Sequence, residues 1–363
     1  MAANLKAPVR FSPSVEKPAP DERETIDGLK EQFQSILETT SKDYAHAVRA
    51  VHAKSHALLE GELTIAGNLP PELAQGMFAR GGTHKALVRI STNAGDVLDD
   101  IIALPRGLAL KVLDVEGERL SGAEGTTQDF IMVNGPAFAA PDPKKFLGNL
   151  KLLAKTTDKA EWAKKAISGV LRAAEATLEA VGTESAMLKN MGGAPNVNPL
   201  GETYYSQTPF RYGDSIAKFQ LAPVSSNLTA VTGENVLADG RPDAIREEVG
   251  SVMSQGEGVW ELRVQLCRDL ESMPIEDASV EWKEEDSPFH TVATLRVPAQ
   301  VSWSLDKAEV LDDATRFSIW TGLAAHQPLG GVNRARNDTY SMSADFRSRF
   351  NGCPIHEPSA AAA

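Results

Sequence analysis

The sequence predicts an α+β fold organised around an antiparallel β-sheet or barrel, and three observations carry that expectation. Short apolar segments bounded by turn residues recur between residues 55 and 133 and again after Pro199. Stripes with a period near 3.6 stand before, between and after these segments. No regular alternation of strand and helix marks a parallel sheet.

Prolines at positions 8, 13, 18 and 20 make residues 1–22 an extended arm. A helix follows, because Ile26, Leu29, Phe33 and Ile36 share one face and Asp21 stands where it favours a helix start. Leu58–Ile65, Lys85–Ile90, Gly107–Leu113 and Phe130–Val133 read as strands. Residues 143–192 turn helical again, with Phe146, Leu150 and Leu153, then Ile167, Leu171, Ala174, Leu178 and Val181 on stripes, and form a helical insert. Trp260, Leu262, Val264 and Leu266 alternate with polar neighbours and predict a half-buried strand. A last helix over 332–350 ends at Asn351-Gly352. One domain over 23–352 follows, with a tail of residues 353–363.

Composition narrows the function. With 49 acidic against 37 basic side chains the net charge is −12, which repels phosphate backbones and argues against nucleic acid as partner. No apolar run approaches the roughly 20 residues of a membrane span, so no membrane partner is expected. Cys267 and Cys353 stand far apart and form no metal or disulfide framework. The first residues lack a secretory pattern, and a cytoplasmic location is expected.

The chemistry concentrates in the last helix. Arg336, Tyr340 and Arg347 fall within about 40° of one another on its surface, at roughly 100° per residue. A guanidinium one turn from a tyrosine donates to the phenolic oxygen and favours its ionised form. A phenolate suits ferric iron, and tyrosine is one of the protein ligands of haem iron. A second arginine further along suits a haem propionate.

The other stretch is Arg49-Ala-Val-His52-Ala-Lys-Ser-His56. A histidine above a haem can take the first proton of a peroxide and return it to the departing oxygen. Zinc chelation by His52 and His56 is the rival, but residue 53 is alanine where the zinc motif needs glutamate.

These residues carry a family resemblance. Arg49–Lys54, Val88–Gly95, Pro105-Arg-Gly107 and Arg336–Tyr340 resemble the successive motifs of haem catalases, in order. The short chain with Gln128-Asp-Phe130 is closer to the small catalase-related peroxidases. The resemblance implies a catalase-like antiparallel barrel holding haem b with ferric iron, Tyr340 as the iron ligand and Arg336 as its partner. His52 becomes the acid–base group, Arg49 and Arg347 the propionate partners, and Phe138 an aromatic against the haem face. The implied substrates are hydrogen peroxide or an organic hydroperoxide with a small reductant, and the arm is compatible with a homo-oligomer. The family's distal asparagine falls at Gly125 or Thr126, leaving Thr126 or Gln128 to replace it. One propionate arginine falls on Ala103, with Arg106 as a stand-in. Two alternatives stand beside peroxidase chemistry. One is rearrangement of fatty-acid hydroperoxides as in allene oxide synthases, which tend to carry threonine where Val51 precedes His52; the other is a haem carrier or sensor of low turnover.

Overall fold

The computed structural model describes residues 5–154 and 195–358. The Ile167–Val181 stripe of the anticipated insert therefore lies outside the described residues, as do residues 359–363 of the tail.

Nine strands, β1 (Ser55–Ile65), β2 (Gly82–Thr92), β3 (Arg106–Val112), β4 (Gln128–Val133), β5 (Tyr204–Tyr205), β6 (Phe210–Tyr212), β7 (Ser215–Pro223), β8 (Gly258–Leu266) and β9 (Phe289–Val297), form one antiparallel sheet. Its order is β5-β4-β3-β2-β1-β9-β8-β7-β6. Strand β5 pairs with β4, Val133 opposite Tyr205, and also with β7, Tyr204 opposite Leu221. The ladder thus closes into a barrel, with β6 on the edge of β7 that β5 also uses. Closure leaves no long open edge for pairing with other chains.

Alternation along β1 shows why these residues form strands. Leu59, Leu63 and Ile65 are buried while Glu60, Glu62 and Thr64 face out, the period of two that a half-covered sheet requires. The barrel core is rich in rings: Phe130 meets Phe219 edge to face with centroids 4.8 Å apart, and Phe78 stacks on Tyr212. His326 is buried among them and accepts the Met77 amide at 3.0 Å through Nε2.

Helices α1 (Glu22–Tyr44), α2 (Pro143–Ala154), α3 (Ala244–Gln255) and α4 (Gly331–Asn351) flank the barrel. The α1 stripe packs Ile26, Leu29, Phe33 and Leu37 against Ala335 of α4 and Phe146 of α2. Gly352 ends α4 at φ +63°, a left-handed cap that glycine adopts without a Cβ penalty.

Two expectations need correction. The arm is extended, but it is docked: Val9, Phe11 and Val15 pack beside Ile216, Cys267 and Trp282, and the Val9 amide donates to the Cys267 carbonyl at 2.8 Å. Strand β8 is half buried only as far as Arg263. Beyond it a loop covers the outer face, and Gln265 Nε2 donates to the Trp282 and Ser287 carbonyls, each at 2.8 Å.

Candidate functional site

Two adjoining chambers, one larger than the other, lie between the barrel and the α1–α4 pair. His52 and Tyr340 border both chambers, together with Phe33, Val51, Ile131 and Thr339.

Tyr340 is presented by α4. Arg336, one turn earlier, donates Nη2 and Nε to the phenol oxygen at 2.9 and 3.1 Å. The phenol oxygen is therefore an acceptor of two charge-assisted hydrogen bonds.

His52 comes from the connection between α1 and β1 and has φ +55°, a left-handed conformation rare outside glycine and worth of order 1–3 kcal/mol of strain. That turn is the bend that lets Arg49 and His52, three residues apart, reach one cavity. The barrel holds the turn in place. Arg89 Nη2 donates to the carbonyls of His52 and Ala53 at 2.9 and 3.2 Å, and Ser91 Oγ lies 3.1 Å from His52 Nδ1. Burial, then Arg89, Arg336 and Arg49, push the imidazole down to about 3, so it is neutral at physiological pH.

The smaller chamber ends among arginines. Arg49, Arg89, Arg316 and Arg347 border it, and the carboxylate of Asp312 serves the first two, with Arg49 Nη1 at 3.0 Å and Arg89 Nε also bonded. Arg347 Nη1 reaches the Asp312 carbonyl at 2.8 Å, while its buried Nε has no partner among the described residues. Burial lowers the Arg49 and Arg347 guanidiniums, the latter to about 10, and Arg89 lowers both further. Such crowding of cations favours a bound anion.

The remaining expected positions divide. Phe138 borders the larger chamber and packs against Phe146 with centroids 5.2 Å apart. His56 lies elsewhere, fully buried with Nε2 2.6 Å from Thr92 Oγ1. Arg106, the suggested stand-in, borders neither chamber: its Nη1 donates to Thr92 Oγ1 at 2.6 Å and its Nη2 to Asn196 Oδ1 at 2.7 Å. Gln128 turns to the Leu323 amide at 2.8 Å, and Thr126 sits on an exposed turn bonded to Asp114, so neither replaces a distal amide.

Two residues were missed. Arg89 lies within the Val88–Gly95 motif and two before Ser91, so strand alternation alone puts both on one face. Asn134 borders the larger chamber with His52, directly after β4, where a polar residue before Gly135-Pro136 was the available signal. Its Nδ2 donates to Glu202 at 2.6 Å and its Oδ1 accepts the Arg106 amide at 2.7 Å.

The residues fit a flat, mostly apolar macrocycle with anionic arms. Phe33, Phe138 and Ile131 supply walls, the arginine end with the unpartnered Arg347 Nε supplies cations, and Tyr340 supplies an oxygen.

Comparison with solved structures shows that this closed antiparallel barrel with its flanking helices has the fold of catalases. A fungal catalase is similar at a TM-score of 0.60 and 18% identity, covering 90% of this chain and 66% of its own. Catalase A from Saccharomyces cerevisiae matches at 0.59 and 18%, over 85% of this chain and 63% of its own. A bacterial catalase matches at 0.59 and 17%, over 89% and 63%. The chain thus spans slightly less than two thirds of each of these structures. No family model matches the sequence, and no curated protein does.

Proposed function

We propose that this chain is a haem-dependent hydroperoxidase acting on hydrogen peroxide or an organic hydroperoxide with a small reductant. The observation that carries the reading is the pair of hydrogen bonds from Arg336 to the phenol oxygen of Tyr340, in a cavity that the neutral imidazole of His52 also borders. Tyr340 would ligate the iron, Arg49 and Arg347 would hold the propionates, and Phe138 would lie against the ring.

Haem supplies the redox chemistry that a peroxide bond needs. The chain supplies proton handling and positioning. His52, uncharged at neutral pH, takes a proton from the peroxide at one ring nitrogen and delivers it to the departing oxygen. Ser91 fixes the ring through Nδ1 and leaves Nε2 for that exchange.

Reconstitution with hemin tests this. Wild type is expected to give a ferric tyrosinate spectrum, Tyr340→Phe to lose it, and His52→Ala to keep the spectrum while losing peroxide turnover. A colourless wild type overturns the reading. One observation favours a second reading, a haem carrier of low turnover: the amide of Asn134 donates to Glu202 and accepts from the Arg106 backbone, bonds that hold it within the protein. Equal turnover by wild type and His52→Ala, with haem bound in both, would select it.

A further inference from the structure

Beyond α4 the chain folds back across the outside of the barrel. The His356 amide donates to the Ala314 carbonyl at 3.1 Å, and His356 pairs with Thr315 as a parallel bridge. Glu357 then enters a pocket of charge. Its Oε2 accepts Lys111 Nζ at 2.7 Å and Thr127 Oγ1 at 2.9 Å, and its Oε1 lies 3.4 Å from Arg316 Nε. Lys111 and Asp129, cross-strand partners on β3 and β4, are fully buried beneath it, and only 6% of the Glu357 side chain is exposed. Arg119 also faces this carboxylate and keeps two buried nitrogens, Nε and Nη1, without partners among the described residues.

The receptor is shaped for this side chain. Gly125 turns at φ +65°, and a Cβ there would stand 2.9 Å from Glu357 Cβ. The hold on residues 353–358 is nearly all polar, since none of them joins an apolar cluster of the core. Segments held in this way open at a small fraction of the global unfolding free energy. With Glu357 withdrawn, Lys111, Arg119 and Arg316 face the single carboxylate of Asp129. That excess of cations attracts a second carboxylate.

We propose that Lys111, Thr127 and Arg316 form a binding site for an acidic side chain on an extended peptide, filled here by residues 353–358 as a detachable latch. The site communicates with the cavity. Arg316 and Phe317 border the arginine chamber, Lys111 Nζ lies 5.6 Å from the Phe317 ring centroid, and the Ser318 amide donates to Asp129 at 2.8 Å. Release of the latch takes the Glu357 carboxylate away from Arg316, which borders that chamber.

The full chain carries the test. In Glu357→Gln, amide exchange over residues 353–358 is expected to rise about tenfold, the loss that follows removal of a charged hydrogen-bond partner. A labelled peptide spanning Pro354–Pro358 should bind that variant about tenfold more tightly than wild type, whose site is filled, and a peptide with glutamine in place of the glutamate should bind neither. Thr127→Val, which keeps the carboxylate and removes one donor at similar volume, should speed exchange in the same segment. Unchanged exchange in both variants, or equal binding of the two peptides, overturns the proposal.

Discussion

The imidazole of His52 lies directly on Gly107: a Cβ built on that glycine would stand 2.4 Å from Cε1 and 2.5 Å from Nδ1 of the ring. Gly107 is the second residue of β3, between buried neighbours, so β3 cannot recede to make room. The ring itself must move, and it is tied to Ser91. Gly107→Ala is therefore expected to displace the imidazole and to cost about 1–3 kcal/mol through overpacking. Thermal unfolding reads the stability loss. The His52 ring resonances in NMR read the displacement, and an unshifted ring would contradict the geometry.

Asp312 is the carboxylate on which Arg49 and Arg89 converge, and Ser55 Oγ also donates to it. Burial would raise its carboxyl, but Arg89 and Arg49 hold it below the ordinary range. Asp312→Ala leaves two buried guanidiniums without their shared anion, a loss expected to cost about 3–5 kcal/mol. Denaturant titration checks it. Added pyrophosphate should stabilise this variant more than wild type, because an anion then fills the vacated place.

The fold was legible because period-two and period-3.6 patterns survive in single segments such as Leu59–Ile65 and Ile26–Phe33. Tyr340 and Arg336 were legible for a similar reason: helical spacing is rigid enough to bring them together without tertiary information. The arginine chamber was not. Arg106 stands in a motif beside His52's glycine, yet its guanidinium turns to Asn196, while Arg89 turns to the cavity from the next strand. Which face of a strand meets the cavity depends on barrel closure, and closure depends on the two-residue strand β5, too short to leave a sequence pattern. Asn134 was missed because it lies just past a strand end, where alternation stops.

Arg336 donates two hydrogen bonds from one planar guanidinium to one oxygen. Lysine offers a point charge on a flexible stem and does not reproduce that geometry. Arg336→Lys is expected to retain the fold within about 1 kcal/mol, since the pair is only part buried, and to lower hemin affinity about tenfold. Titration followed by absorbance measures the affinity, and an unchanged value would separate Arg336 from the proposed ligand role of Tyr340.

Acid should destabilise the protein well before its surface carboxylates titrate. Burial lowers His52 to about 3 and His326 to about 4, and carries His56 well below its ordinary value. Unfolded, each titrates near 6.5, so between about pH 6.5 and 4 the unfolded chain binds more protons and stability falls as pH drops. Each histidine contributes up to about 1.4 kcal/mol per pH unit over that window. Asp129 acts in the opposite sense, its carboxyl raised by burial and by Glu357 against the pull of Lys111, so a single variant is the cleaner measure. His326 Nε2 must stay unprotonated to accept the Met77 amide, and glutamine can present an acceptor there without titrating. The melting temperature of His326→Gln is expected to fall less steeply than that of wild type between pH 7 and 5. Parallel curves would show that His326 holds its proton as readily folded as unfolded.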